Sequence, residues 1–295
     1  LLGYITALLE PDDEATLENA LKNWYPFDLH LIGKDILRFH AVYWPAMLMS
    51  AGLPLPQKVF GHGFLTKDGR KMGKTLGNTI DPIELIDKYG ADAVRYYFLK
   101  EIEFGKDGDF NEVRFIDVVN ADLANDLGNL LNRVLGMVKK YCGGKIPVVT
   151  AEHINNDNPL KGLGLHLGEQ VKTAYEALAF SQACNLVLSL VQGSNKFIDD
   201  QAPWSLYKQG KQQEVECVLY TVLESVRLAV YLLSPVIPNI STAAYQQLGL
   251  SVNFNDPTSS VAPFDIHSKW GLLSSTQNLG TPQPIFKRID LSKND

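Results

Sequence analysis

Near residue 113 the hydrophobic pattern changes period, so two different architectures must meet there. Beyond that point Phe115, Val118, Val119, Leu123, Leu127, Leu130, Leu131, Val134, Leu135 and Val138 recur at three and four residues. That spacing lays one apolar stripe along a helix and predicts a long amphipathic helix. Gly143-Gly144 marks its end, because glycine accepts the left-handed conformation of a C-terminal cap. A polar linker is expected over 150–159, with three Asn and no period. A second helix is expected from His166 to Ile198, broken near Gly193. Its apolar face is Val171, Ala174, Tyr175, Leu178, Leu186, Val187 and Leu190. A third runs from Gln213 to Leu233, where Ser234-Pro235 stops it, and a shorter one from Ile240 to Leu248. Together they predict an antiparallel helical bundle.

The first 80 residues have another texture. Short apolar runs alternate with Pro and Gly, which suits the strands, turns and short helices of an α/β layer. Val59 to Thr66 reads as a strand, and Asp68-Gly69 as a tight turn. The expected fold class is therefore α/β followed by all-α. Composition agrees: 45% apolar and 20% charged residues in a 295-residue chain exclude global disorder. The net charge of -6 argues against non-specific nucleic-acid binding. Locally, residues 67–74 (KDGRKMGK) carry Lys67, Arg70, Lys71 and Lys74 against one acid, Asp68, which suits a single defined anion. Cys142, Cys184 and Cys217 are far apart and form no CxxC, which favours a reducing compartment. No apolar run approaches the ~20 residues of a membrane span. The chain opens at Leu1, without Met, inside the apolar run LLGYITALLE, which reads as an element cut open.

Four segments could carry chemistry. In Gly61 to Asn78, two lysines three apart, Lys71 and Lys74, bracket Met72 and Gly73 and precede Thr75. They could face one polyphosphate; the plainer alternative is a solvated hairpin. The segment is no Walker loop, because Asp68 stands where a glycine is needed. In His30 to His40, Gly33 follows an apolar strand at a crevice-edge turn, and Asp35 could hold ribose hydroxyls or cap a helix. His40 alone reads as a satisfied core histidine. Trp204, after Pro203, could stack on a base or fill the core. Asn129 and Arg133, four apart, share one helix face and suit base edges, though read alone a solvated face is the plainer account. No HExxH, EF-hand, GxSxG or paired-carboxylate pattern occurs.

Taken together and in order, these segments resemble a known family. Lys71-Met72-Gly73-Lys74-Thr75 resembles the KMSKS loop of class I aminoacyl-tRNA synthetases. HLIGKDILRFHAVYWPAML, DAVRYYFL, ADLANDLGNLLNR and APWSLYK resemble the methionyl-tRNA synthetase family. The wording of DGDFNEVRF and QAPWSLYKQG is nearest its cyanobacterial and plastid-like branch. The resemblance reaches to about residue 250, and PIFKRID resembles the end of that family's anticodon domain.

The resemblance implies a division and a set of roles. Residues 1–80 would be part of a Rossmann-like catalytic domain, 81–112 a linker, 113–250 the helical anticodon-binding domain and 251–295 a tail. Gly33 and Asp35 would contact adenosine, and Lys71, Met72, Gly73, Lys74 and Thr75 the phosphates of ATP, with Lys71 and Lys74 catalytic. Tyr4, Ile36 and His40 would wall a methionine pocket, and Asn129, Arg133 and Trp204 would read the anticodon. The implied activity is methionine–tRNA ligation with ATP and Mg2+, on initiator and elongator methionine tRNA. Its setting would be the cytoplasm, or a plastid or mitochondrial matrix in a plant. The loop departs from the family pattern at Gly73 and Thr75, where serines are usual, but keeps both lysines. The HIGH element and the inserted zinc-binding region are not in the chain, so no metal site is expected in it. The resemblance thus implies the C-terminal part of a synthetase, inactive alone. The alternatives are a module that only binds the tRNA anticodon and an unrelated helical scaffold.

Overall fold

The computed structural model describes residues 1–8, 21–149, 158–256, 263–275 and 277–290, with Lys74 described by its backbone only. Most of the expected linker over 150–159 lies outside the described residues.

At the front, β1 (Leu29–Gly33) pairs in parallel with β2 (Lys58–His62), in register from Leu29 opposite Lys58 to Gly33 opposite His62. Parallel neighbours need a long crossover. Here it contains turns at Lys34–Ile36 and Phe39–Tyr43 and the helix Trp44–Ser50. Trp44 and Leu48 bury against Tyr25 in a small core. Leu31, Phe39, Val42, Tyr43 and Met49 remain exposed.

The single strand expected over Val59–Thr66 is two. A backbone crossing at Gly63 separates β2 from β3 (Leu65–Lys67): a Cβ on Gly63 would lie 2.1 Å from the Lys106 carbonyl oxygen. Asp107 Oδ1 fastens this crossing, accepting the Phe64 N–H at 2.8 Å and Lys34 Nζ at 2.6 Å. β3 then pairs antiparallel with β4 (Arg70–Lys71) and parallel with β5 (Gly108–Phe110). The tight turn forms as expected, with φ of 51° at Asp68 and 71° at Gly69. Asp109 Oδ1 accepts the Gly69 N–H at 2.8 Å.

Helices follow at Pro82–Tyr89, capped by the Asp81 carboxylate, and at Ala91–Glu101. The long amphipathic helix then runs unbroken from Glu112 to Tyr141, as α-helix to Val119, π-helix over Asn120–Gly128 and α-helix from Asn129. All ten residues of its predicted stripe are buried, none more than 6% exposed. Gly143 and Gly144 are left-handed, and the Gly144 N–H closes onto the Val138 carbonyl at 3.2 Å.

The second helix differs from expectation. It is two antiparallel helices, Pro159–Glu176 and Phe180–Gln201, and the break falls at Leu178, not at Gly193. Leu178 takes φ 59° while the Ala179 N–H reaches the Ala174 carbonyl at 2.8 Å. A leucine in that conformation leaves no sequence signal. Gly193 stays inside the helix Phe180–Gln201, where a Cβ would make ordinary contact with Leu160 Cδ2 at 3.4 Å and Leu163 Cδ1 at 3.6 Å.

The helix Gln212–Leu233 is the centre of the bundle, with every residue from Val218 to Leu233 buried, and Pro238–Gln247 follows it. Glu224 and Arg227 are both buried in this central helix. Glu224 accepts Arg227 Nη2 at 2.6 Å and the backbone N–H groups of Gly271, Leu272 and Leu273 at 2.8, 3.2 and 3.0 Å. Arg227 donates to the carbonyls of His267 and Lys269 at 2.8 and 2.6 Å. The pair therefore clasps the segment 267–273 to the bundle. Among the described residues no helix is long and apolar enough to cross a membrane.

Removing one partner of a buried, fully bonded pair strands the other, at about 3–5 kcal/mol. Glu224→Ala should lower the unfolding free energy by that amount in urea titration. A loss under about 1 kcal/mol would contradict the clasp.

Candidate functional site

β1 and β2 point their C-terminal ends the same way, and open α/β sheets bind ligands beyond such ends. Gly33 closes β1, and Asp35 lies in the turn after it rather than at a helix cap. The Asp35 carboxylate folds back over Gly33, so a Cβ there would meet Asp35 Oδ1 at 2.6 Å. The φ of Gly33 is -67°, open to any residue, so a side chain there would need only the Asp35 carboxylate to swing aside.

Beside this turn lies a cluster of rings. The Tyr4 hydroxyl bonds His40 Nε2 at 2.8 Å, and His40 Nδ1 meets the Ile36 carbonyl at 3.0 Å. A carbonyl only accepts, so Nδ1 carries hydrogen; in the neutral ring Nε2 then accepts from Tyr4. Tyr4, Ile36 and His40, which the family resemblance groups as one wall, lie together here. Tyr4 is 37% and Ile36 39% exposed, so they face the open side, while His40 is buried.

Two residues escaped the sequence reading. The Trp44 indole donates from Nε1 to His30 Nε2 at 3.2 Å, and the His30 ring stands 4.7 Å from Tyr4 and 5.8 Å from His40. His30 alternates inward along β1, and Trp44 falls one helical turn after His40. That inward alternation and four-residue spacing were the available signals. Burial, and secondarily the neighbouring His40, hold the His30 imidazole below its ordinary pKa.

The lysine loop belongs to the other sheet. Lys71 ends β4, exposed, and Lys74 opens the short turn Lys74–Leu76, its side chain outside the described structure. Met72 and Gly73 join them, and Thr75 is exposed in that turn. Asn78, unremarked in the sequence, staples the loop. Its Oδ1 accepts the Gly73 N–H at 2.9 Å, and its Nδ2 donates to the Lys71 carbonyl at 3.1 Å. Gly77 is left-handed, with φ of 62°, and Gly73 is not.

In the bundle, Arg133 packs its guanidinium 5.6 Å from the centre of the Trp204 ring and pairs with Asp199. Asn129 stands exposed one turn before Arg133, where the π-helix ends. Pro203 opens a helix, Pro203–Lys208, rather than a simple turn. Trp204 is half-buried: one part packs on the bundle core and the rest stays open. The ring is thus neither wholly free nor wholly in the core.

Comparison with known proteins now separates the possibilities. The family model for class I tRNA synthetases of the methionine type matches residues 1–135, and that for the anticodon-binding domain of methionyl-tRNA ligase matches residues 161–295. The methionine–tRNA ligase of a Nostoc species is 74% identical over the whole chain, and that of a Synechocystis species 64% over 99% of it. The chloroplastic/mitochondrial methionine–tRNA ligase of Arabidopsis thaliana is 52% identical over 99% of it. The chain belongs to the methionyl-tRNA synthetase family.

The chain spans about half the length of the curated relatives it matches: 55% of the two cyanobacterial proteins and 47% of the Arabidopsis one. Mycobacterium tuberculosis methionyl-tRNA synthetase, solved in complex with methionyl-adenylate, superposes with a TM-score of 0.84 at 37% identity. That match covers 97% of this chain and 54% of the other. Within the family fold, then, the front sheet is catalytic-domain structure and the bundle is the anticodon domain.

The His30 geometry can be checked directly. Its imidazole must be neutral to accept from Trp44, so NMR titration should place its midpoint below about 6.5. A folded pKa below the unfolded one means that the unfolded chain binds the proton more readily. His30's stability contribution is then full above about pH 6.5 and is lost as pH falls toward the folded value. A midpoint at or above 6.5 would contradict the buried acceptor.

Proposed function

We propose that this chain serves methionine–tRNA ligation, with ATP activating methionine and methionine tRNA receiving it. In the first step the methionine carboxylate attacks the α-phosphate of ATP, forming methionyl-adenylate and releasing pyrophosphate. In the second, the terminal ribose hydroxyl of the tRNA takes the methionyl group and AMP leaves. Both steps rely on positioning and charge stabilisation more than on an acid–base pair.

The single observation that carries this reading is the convergence of Tyr4 and His40, hydrogen-bonded at 2.8 Å across 36 positions of sequence. Tyr4 and Ile36, backed by the buried His40 and Trp44, offer an apolar wall and one polar pair, which suits a thioether side chain. Asp35 would hold the ribose and Gly33 admit the adenosine. Lys71 and Lys74 would face the phosphates, with Met72, Gly73 and Thr75 shaping the loop. Magnesium enters with ATP as part of the substrate. Among the described residues no group of three His, Cys, Asp or Glu side chains is placed to hold a metal.

In the same reading Asn129, Arg133 and Trp204 recognise the anticodon of initiator and elongator tRNA alike, with Trp204 stacking on a base. Residues 1–80 carry the methionine and ATP contacts, 81–112 the connection, 113–250 the anticodon surface and 251–295 the brace behind it. The compartment would be the cytoplasm or an organelle matrix.

One observation favours a second reading, in which these 295 residues only bind tRNA. The front sheet has two strands among the described residues and leaves Leu31, Val42 and Met49 exposed. Methionine-dependent ATP–pyrophosphate exchange separates the readings: exchange by the chain itself supports the ligase, and its absence with tRNA binding retained supports the module. Trp204→Ala should weaken binding of a methionine tRNA anticodon stem-loop about 10- to 100-fold, the loss of one stacked base, without changing the fold. Unchanged affinity would remove Trp204 from the anticodon surface.

A further inference from the structure

Along the helix Phe180–Gln201 the residues Gln182, Asn185, Ser189, Gln192, Lys196 and Asp199 are exposed. Steps of three and four keep them on one face, and from Gln182 to Asp199 that face is about 26 Å long. Solvent-facing stripes of helices are usually charged. The first four residues of this one are amides and a hydroxyl.

The stripe leads somewhere at both ends. At one end Asp199 pairs with Arg133 beside Trp204, and Gln192 Nε2 donates to Asp126 Oδ2 at 3.0 Å, three residues before Asn129. At the other end Gln182, Asn185 and Ser189 line a pocket of about 570 Å³ whose far wall is Glu103 and Phe104. Phe104 stacks on Phe60 of β2, with ring centres 5.0 Å apart, so the pocket adjoins the front sheet. The side chains of Gln182 and Asn185 have no partner among the described residues.

We propose that this stripe docks the stem of the RNA whose loop is held at Asn129, Arg133 and Trp204. Gln182, Asn185 and Ser189 would hydrogen-bond its ribose 2′-hydroxyls and minor-groove edges. The inference rests on the anticodon reading given above. Phosphate binding draws on Lys and Arg, and this face carries one cation, Lys196, in a chain of net charge -6. A carboxamide or hydroxyl both donates and accepts, as a 2′-hydroxyl does. The A-form minor groove is wide and shallow and displays those hydroxyls. The stripe therefore reads sugar and groove shape along the stem, while the loop contacts read sequence.

The test uses the whole chain and a labelled RNA stem-loop with a CAU loop, followed by fluorescence anisotropy. A second probe keeps the ribose loop but carries 2′-deoxy sugars throughout the stem. The chain should bind the deoxy stem about tenfold more weakly, the scale of one or two lost hydrogen bonds. The Gln182→Ala/Asn185→Ala variant should bind the ribose stem about tenfold more weakly and no longer distinguish the two. Both substitutions are on an exposed face, and unchanged circular dichroism will show an intact helix. Equal affinity of the parent chain for both stems, with loop dependence retained, would overturn the stripe alone. So would a variant that still discriminates. Binding indifferent to the CAU loop would overturn the anticodon reading and the stripe with it.

Discussion

The structure depends on one constraint: a helix unbroken from Glu112 to Tyr141 whose buried stripe belongs to a single core. That core extends from Leu85 in the connecting helices to Leu273 in the tail. A helix packed along its whole length cannot bend without opening the contacts on one side. The connecting helices and the helix face that carries Asn129 and Arg133 are therefore built on one packed core. The π-helical turns of Asn120–Gly128 are where this rod changes pitch, just before Asn129. Asn120 uses that place to hold the tail, exchanging hydrogen bonds of 2.9 and 2.8 Å with the backbone of Ile289.

The front sheet is joined to this rod differently. Its core is small, and the link is a crossing of backbones at Gly63 fastened by Asp107 to Lys34 and Phe64. Lys34 is the neighbour of both Gly33 and Asp35, so the fastening touches the turn that follows β1. The Asp107 carboxyl is held below its usual range by Lys34 and by the Phe64 N–H. An apolar contact joins the polar one: Phe104 stacks on Phe60 of β2 with ring centres 5.0 Å apart.

Burial also sorts the titratable groups by use. Burial pushes Cys142 up to about 11 and Cys184 up to about 12, which makes both thiols inert at neutral pH. Burial likewise raises the Asp122 carboxyl, against the pull of Lys100. These groups lie in the structural core, whereas Asn129 and Lys71 stand exposed where a ligand can reach them.

Local sequence determined what depends on period and on turn chemistry. The stripe from Phe115 to Val138, the glycine cap at Gly143-Gly144 and the Asp68-Gly69 turn all follow from nearest-neighbour physics, and each formed as expected. The family resemblance brought Tyr4, Ile36 and His40 together because it compares whole segments rather than spacing. Tertiary structure decided the rest. Leu178 turns left-handed because two helices must pack antiparallel there, and Gly193 stays helical inside the second of them. Gly63 splits a strand because a chain from 43 residues away crosses it, to judge by the Phe64–Asp107 bond. His30 and Trp44 entered the site only once β1 and the following helix faced each other. In each case a contact distant in sequence overrode the local preference, and such contacts exist only in the folded chain.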